Sequence, residues 1–159
     1  MSDGVEELRN EIAASYEEIR ALLFQIHDDD LARLTPSGVP NWRIAAAIAQ
    51  APLSDVRSAR RIADGKSPNG SLLSRSFEMI ANWRRTRAFS TATRRDLLTA
   101  WENAFNALFS CINDLNEMPI DDVSTDRARP RADAFAYLRT SHARWKTCTD
   151  ELRAAVSAR

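Results

Sequence analysis

His142 is the residue of this chain with the clearest capacity for chemistry, because it lies on the apolar face of a long helical stretch. That face carries Phe135, Leu138, His142, Trp145 and Leu152, at helical spacing. Residues at such spacing share one side of a helix and point at neighbouring helices rather than at water. A titratable ring in such a position is either a hydrogen-bonded structural group or part of a functional site.

Other candidate chemistries have little support in the sequence. The motifs GxGxxG, GxxxxGK[ST], HExxH and CxxC are all missing. His27 is predicted to be structural or solvent-facing near a helix end. The Asp28-Asp29-Asp30 run is predicted to be a solvated turn, because it lacks the spaced oxygens of a calcium loop. The arginine clusters at 57–61 and 84–87 are interpreted as solvated faces.

The composition is that of one globular domain spanning residues 1–159. Lysine plus arginine equals aspartate plus glutamate at 22 each, so no overall field favours nucleic acid or an anionic membrane. No apolar run is long enough to cross a bilayer, and the acidic amino terminus does not look like a secretory signal. Cys111 and Cys148 are predicted to be reduced, buried thiols. We therefore expect a cytoplasmic protein that binds neither nucleic acid nor membrane.

The apolar pattern predicts helices throughout. A first helix is expected from Ser2 or Asp3 to the Asp28–Asp30 run or to Leu34, with its stripe at Leu8, Ile12, Tyr16, Ile19, Leu23 and Ile26. A second begins near Asn41, and Pro52 is expected to kink or interrupt it.

The remaining helices follow the same logic. Residues 71–89 are expected to form a less regular helical segment. Ser90 or Thr91 is expected to cap a third major helix with a seam at Leu98, Trp101, Phe105, Leu108, Ile112 and Leu115. A loop is expected from Glu117 to about Pro130, followed by the final helix. The predicted fold is all-α, a four-helix bundle with long crossover connections and one short extra helical segment.

Three stretches of the chain resemble the DinB/YfiT-like superfamily of metalloenzymes, which includes mycothiol- and bacillithiol-dependent enzymes. The first stretch is Gly38 to Gln50, a glycine–proline turn followed by Trp42 and an amphipathic helix. The second contains Gly65-Lys66-Ser67-Pro68 and later Asn82 before Trp83, and the third is the final helix around His142. The resemblance implies a DinB-like bundle over the whole chain.

The resemblance also implies where a metal site would lie. The family holds a divalent metal with three histidines, and those positions fall here on Gln50, His142 and Lys146. Glutamine is a weak ligand and a lysine ammonium cannot coordinate a cation. We therefore expect a degenerate site with no metal and no cofactor.

A polar pocket around His142 remains the expected functional feature. Its expected lining is Trp42, Asn82, Trp101 and Trp145. The leading hypothesis is a metal-free protein that binds or detoxifies a small molecule. The alternatives are a mycothiol- or thiol-dependent transferase or isomerase, and a non-catalytic helical protein that forms a homodimer, with Trp83 and Phe89 as candidate interface residues.

Overall fold

The computed structural model is all-α, as the sequence predicts, and it describes residues 4–36, 38–68, 93–118 and 125–157. The helices in these ranges are α1 (Val5–Gln25), α2 (Asp28–Leu31), α3 (Asn41–Ala63), α4 (Arg94–Glu117) and α5 (Thr125–Ser157). The same ranges contain no strand beyond an isolated bridge between Leu34 and Pro40. The irregular segment predicted at 71–89 lies outside the described residues.

α1 follows the predicted stripe but ends early. Five of the six stripe residues are buried, namely Leu8, Ile12, Ile19, Leu23 and Ile26, while Tyr16 is half-buried. The helix ends at Gln25, and the acidic run begins the separate helix α2 instead of extending α1. Three aspartates in the first turn suit that position, because carboxylates are stabilised at the positive end of a helix dipole.

α3 passes through Pro52 as one helix of 23 residues, so of the two expected effects, a kink or an interruption, the interruption is wrong. Proline removes only one backbone donor, and the buried Pro52 packs in a face that also carries Ile48 and Ala59. Tertiary packing of an amphipathic face supplies most of a helix's stability, so it can hold a helix through an unfavourable residue.

α4 and α5 begin at residues other than those predicted. Thr93, not Ser90 or Thr91, caps α4, since its Oγ1 accepts a hydrogen bond from the Asp96 backbone N–H at 3.3 Å. The Asp96 carboxylate accepts the Thr93 N–H in return at 3.1 Å, which completes a capping box. α5 begins at Thr125 and contains Pro130, so the loop expected up to Pro130 is shorter than predicted. Near a helix start, proline costs at most one further hydrogen bond.

α3 and α4 run parallel, which requires a crossover connection. Near the start of both helices, the Trp101 indole N–H donates to the Ala45 carbonyl at 2.7 Å. Near their ends, Arg60 forms an ion pair with Asp114 at 3.2 Å. A parallel pair of consecutive long helices is what the predicted crossover topology requires.

α1 runs parallel to α5 and antiparallel to α4. Ser15 contacts His142, and one turn further on Glu18 forms an ion pair with Arg153 at 3.5 Å, so α1 and α5 advance together. The ring contact between Tyr16 and Phe105 and the hydrogen bond between Arg9 and Asn113 set α4 in the opposite direction. The four long helices therefore run up, down, down and up.

One end of the bundle joins the end of α1 to the start of α4. The Arg94 guanidinium donates to the Phe24 and Ile26 carbonyls at 3.1 and 3.2 Å. The Arg94 backbone N–H donates to the Asp28 carboxylate at 2.8 Å. Unpaired groups at both helix ends thus find partners across the junction. Among the described residues, no helix is long and apolar enough to cross a membrane.

Candidate functional site

His142 joins α5 to α1 through a buried hydrogen bond. Its side chain is 7 % exposed, and Nε2 lies 2.7 Å from Oγ of Ser15, which is also buried. The imidazole tautomer sets which of the two groups donates. Ser15 falls on the buried face of α1, three residues after Ile12 and four before Ile19. The imidazole therefore bridges two helices at the middle of the bundle.

Asp55 joins α3 to α5 in the same region. Asp55 is 7 % exposed, and burial raises the pKa of its carboxyl to about 6. Hydrogen bonds to the Ser141 and Trp145 side chains and the charge of Arg144 act in the opposite direction. Arg144 also donates to the Ser141 hydroxyl at 3.0 Å. The carboxyl is thus held by partners on α5 but remains strongly desolvated.

Trp145 connects these two contacts. Its ring packs edge-on against His142, with ring centroids 4.7 Å apart, and its side chain also hydrogen-bonds Asp55. On a further side it packs against Phe105 of α4 at 5.5 Å. We call the connected set Ser15, Asp55, Ser141, His142 and Trp145 the central polar layer. It spans α1, α3 and α5.

The surroundings of His142 favour its neutral form. Burial lowers the pKa of its imidazole, and the nearby Lys146 ammonium lowers it further, while Glu11 on α1 acts in the opposite direction. Both Lys146 and Glu11 are exposed. The imidazole therefore lies at the contact between α1 and α5, where one exposed charge of each sign acts on it. We call this the α1–α5 groove, defined by Glu11, Ser15, His142 and Lys146.

The three positions of the expected degenerate metal site differ in their surroundings. His142 is buried, Lys146 is exposed on the next turn of α5, and Gln50 is half-buried on α3. Lys146 acts on His142 through its charge. Gln50 lies five residues before Asp55 on α3. The side chain of Asp55 contacts α5 at the central polar layer.

The expected pocket lining is similarly divided. Trp145 contacts His142 directly. Trp101 is fully buried and its indole is occupied by the Ala45 carbonyl, so it has a packing role between α4 and α3. Trp42 is half-buried at the start of α3. Asn82, with Trp83 and Phe89, lies outside the described residues.

The donor set at these positions does not fit a divalent metal. His142 Nε2 is engaged with Ser15, and Lys146 brings a positive charge that lowers the imidazole pKa. Structural and catalytic zinc sites use three or four imidazole, thiolate or carboxylate ligands. Within the described ranges, no group of three or more His, Cys, Asp or Glu side chains is placed to hold a metal ion.

Sequence reasoning missed Asp55, Ser15 and Ser141. A signal for Asp55 exists, because it continues the apolar stripe of Ile44, Ile48 and Pro52 that leads to Ala59. Ser15 likewise lies at helical spacing between apolar stripe positions. A small polar residue in an apolar stripe is easily interpreted as one that the core merely accommodates. Its hydrogen-bond partner becomes apparent only when another helix is in place.

The two cysteines are free, as expected. Cys111 is buried and Cys148 is half-buried, and in both cases burial raises the pKa of the thiol. The protonated thiol is a poor nucleophile.

Two cavities lie away from the central polar layer. One of about 510 Å³ lies between the end of α3 and the start of α5, where it contacts Ile62, Lys66, Arg129 and Asp133. The other, of about 380 Å³, lies at the junction of α1 and α4 and contacts Phe24, Asp28, Arg94 and Leu98.

Comparisons with protein-family models, with curated proteins and with solved structures give no match.

Proposed function

We propose that the chain is a metal-free helical-bundle protein that binds a small anionic molecule at the α1–α5 groove. The observation that carries the proposal is His142, a buried imidazole on which the exposed Lys146 ammonium, one turn further along α5, acts through its charge. An anion in the groove would pair with Lys146 and accept a hydrogen bond from the imidazole. Charge-assisted hydrogen bonds of this kind are stronger than neutral ones.

Two further features support a binding role. Asp55 and His142 both contact Trp145, and both have pKa values shifted toward their neutral forms. Clusters of buried groups with shifted pKa values occur more often at functional sites than elsewhere. The free thiols fit a reducing compartment, so the proposed setting is the cytoplasm. Membership of the DinB/YfiT-like superfamily is part of the same proposal, and the crossover bundle is compatible with it.

The two lysines of the chain provide a direct test, because Lys66 is a natural control for Lys146. Reductive methylation with ¹³C-formaldehyde labels both side chains for NMR. Titration with non-aromatic dicarboxylates and phosphate monoesters should shift the Lys146 signal and leave Lys66 unchanged. The variant Lys146→Gln should lose binding, whereas Lys66→Gln should retain it. The proposal fails if no anion shifts Lys146, or if both variants behave alike.

A non-catalytic helical scaffold is the second candidate. The observation that favours it is that Ser15 and His142 already bond each other, and that Asp55 already has partners on α5. In that case the central polar layer holds helices together and binds nothing. A homodimer built on a helical face belongs to this candidate, and sedimentation velocity over a hundred-fold range of concentration would detect it.

A thiol-dependent transferase or isomerase has less support. Such an enzyme needs a metal-bound or otherwise activated thiol, and burial raises the pKa of both Cys111 and Cys148. A chain that supplies no activated thiol would need an external thiol bound in the groove. Titration with a low-molecular-weight thiol, followed through the labelled lysines, would test this alternative.

A further inference from the structure

The cavity at the junction of α1 and α4 combines an apolar floor with positive charge. It has a volume of about 380 Å³, within the range of roughly 300–1,000 Å³ that small-molecule sites occupy. It is lined by Phe24, Asp28, Thr93, Arg94, Arg95 and Leu98. We call it the Phe24 cavity.

Phe24 presents an aromatic surface that the bundle does not bury. Its side chain is 52 % exposed, although 28 other hydrophobic residues in the described ranges are buried. The guanidinium carbons of Arg20 and Arg94 each lie 5.7 Å from the centre of its ring. Cations at this distance are attracted to the face of an aromatic ring and help to hold it in place. The exposed ring is therefore positioned rather than free to collapse onto the core.

The charges around the ring are unbalanced. The Asp28 carboxylate is engaged with the Arg94 backbone N–H, and the Arg94 guanidinium is engaged with two carbonyls. Arg20 and Arg95 are exposed, and within the described ranges neither forms an ion pair with a carboxylate. The amino-terminal end of α4 adds the positive end of a helix dipole. The cavity thus offers a positive rim to a ligand of negative charge.

We propose that the Phe24 cavity binds a small aromatic carboxylate. The aromatic ring of the ligand would pack on Phe24 and Leu98, and its carboxylate would pair with the Arg95 guanidinium. A planar guanidinium and a carboxylate match in geometry, and offset or edge-on packing of two rings adds to the buried area. This site is separate from the α1–α5 groove and does not depend on the function proposed above.

The test uses 2-naphthoate as the probe on the full chain, with binding followed by ¹H–¹⁵N NMR titration. We expect shifts of the Arg95 and Leu98 backbone signals. 2-Naphthylmethylammonium, which has the same ring and the opposite charge, and acetate, which lacks the ring, should both bind at least about ten-fold more weakly. Equal binding of the cationic probe would overturn the proposal, because the rim charge would then be irrelevant.

Variants locate the site. Phe24→Ala should weaken 2-naphthoate binding about ten-fold, and Arg95→Gln about five-fold. Arg60→Gln is the matched control, because it removes an exposed arginine at the far end of α3 and should leave binding unchanged. Should Phe24→Ala fail to fold, Arg95→Gln and the charge-reversed probe still decide the matter. Loss of binding in Arg60→Gln, or full binding in Arg95→Gln, would contradict the assignment.

Discussion

At the scale of single residues, Asp55 carries the largest consequence for stability. Its pKa in the folded chain is about 6 against an ordinary 3.8, so the folded state holds the proton more tightly than the unfolded state. The stabilising contribution is therefore complete below pH ~3.8 and is lost as the pH rises through 6. At neutral pH the ionised carboxylate lowers the free energy of unfolding by on the order of 3 kcal/mol relative to the protonated form.

The substitution Asp55→Asn tests this consequence. It keeps the shape and an oxygen acceptor for the α5 partners but removes the ionisation. We expect the variant to be about 1–3 kcal/mol more stable than the parent at pH 7, and close to it at pH 4, by urea denaturation. The control Asp133→Asn, at an exposed position on α5, should change little at either pH. A loss of stability at pH 7 would show that the charge with Arg144 outweighs desolvation.

The bond between Ser15 and His142 is accessible to a double-mutant cycle. His142→Phe keeps an aromatic ring, although a somewhat larger one, and leaves the buried Ser15 hydroxyl without its partner, which should cost about 1–3 kcal/mol. Ser15→Ala in that background should recover part of the loss. We expect a coupling energy of about 1 kcal/mol from chemical denaturation of the four proteins. Additive effects would mean that the two side chains do not interact in solution.

At the scale of elements, the start of α4 shows how a helix end is stabilised. The Thr93 hydroxyl accepts the Asp96 N–H, and the exposed Asp96 carboxylate, whose pKa is lowered by hydrogen bonds from Thr93, accepts in return. Replacing such a cap by alanine removes partners for backbone groups that have none inside the helix.

Thr93→Ala should therefore destabilise the chain by about 1 kcal/mol in thermal or chemical denaturation. Thr99→Ala is the matched control on the same helix, since the Thr99 hydroxyl only bonds the Arg95 carbonyl one turn earlier and is exposed. That change should be neutral or slightly stabilising, because alanine is the better helix former. Equal effects of the two changes would remove the case for the capping box.

The sequence predicts elements better than it predicts their ends. The stripes of α1 and α4 can be predicted from spacing alone, because burial of one helix face requires apolar residues at regular intervals in the sequence. The break between Gln25 and Asp28 and the start of α5 at Thr125 depend on individual backbone partners, which spacing does not encode. His142 could be located by pattern, whereas Asp55 became evident only once α3 lay against α5.

At the scale of the whole molecule, the two titrating groups of the central polar layer act in opposite directions. The imidazole pKa of His142 is lowered by burial, so its contribution to stability is present above its unfolded value of 6.5 and is lost as the pH falls. Asp55 contributes in the reverse sense between pH ~3.8 and 6. The two effects partly cancel in the parent chain.

Melting temperatures measured from pH 4 to 7 should separate the two groups. Relative to the parent, Asp55→Asn should lose its advantage as the pH falls from 7 to 4, because Asp55 in the parent then becomes protonated and no longer costs stability. His142→Gln should become progressively more stable over the same range. The difference between the double variant and the parent should change less with pH than the difference for either single variant, because the two effects partly cancel. Parallel curves for the two single variants would show that neither group titrates in this interval.

The parallel arrangement of α1 and α5 also sets how the bundle bears mechanical load. A pulling force applied between Val5 and Ser157 acts along both helices in opposite senses, so it slides one past the other. The contacts of Ser15 with His142 and of Glu18 with Arg153 then strain together instead of opening one at a time. The central polar layer, with bonds directed across the helix axes, therefore lies where a shearing force is resisted.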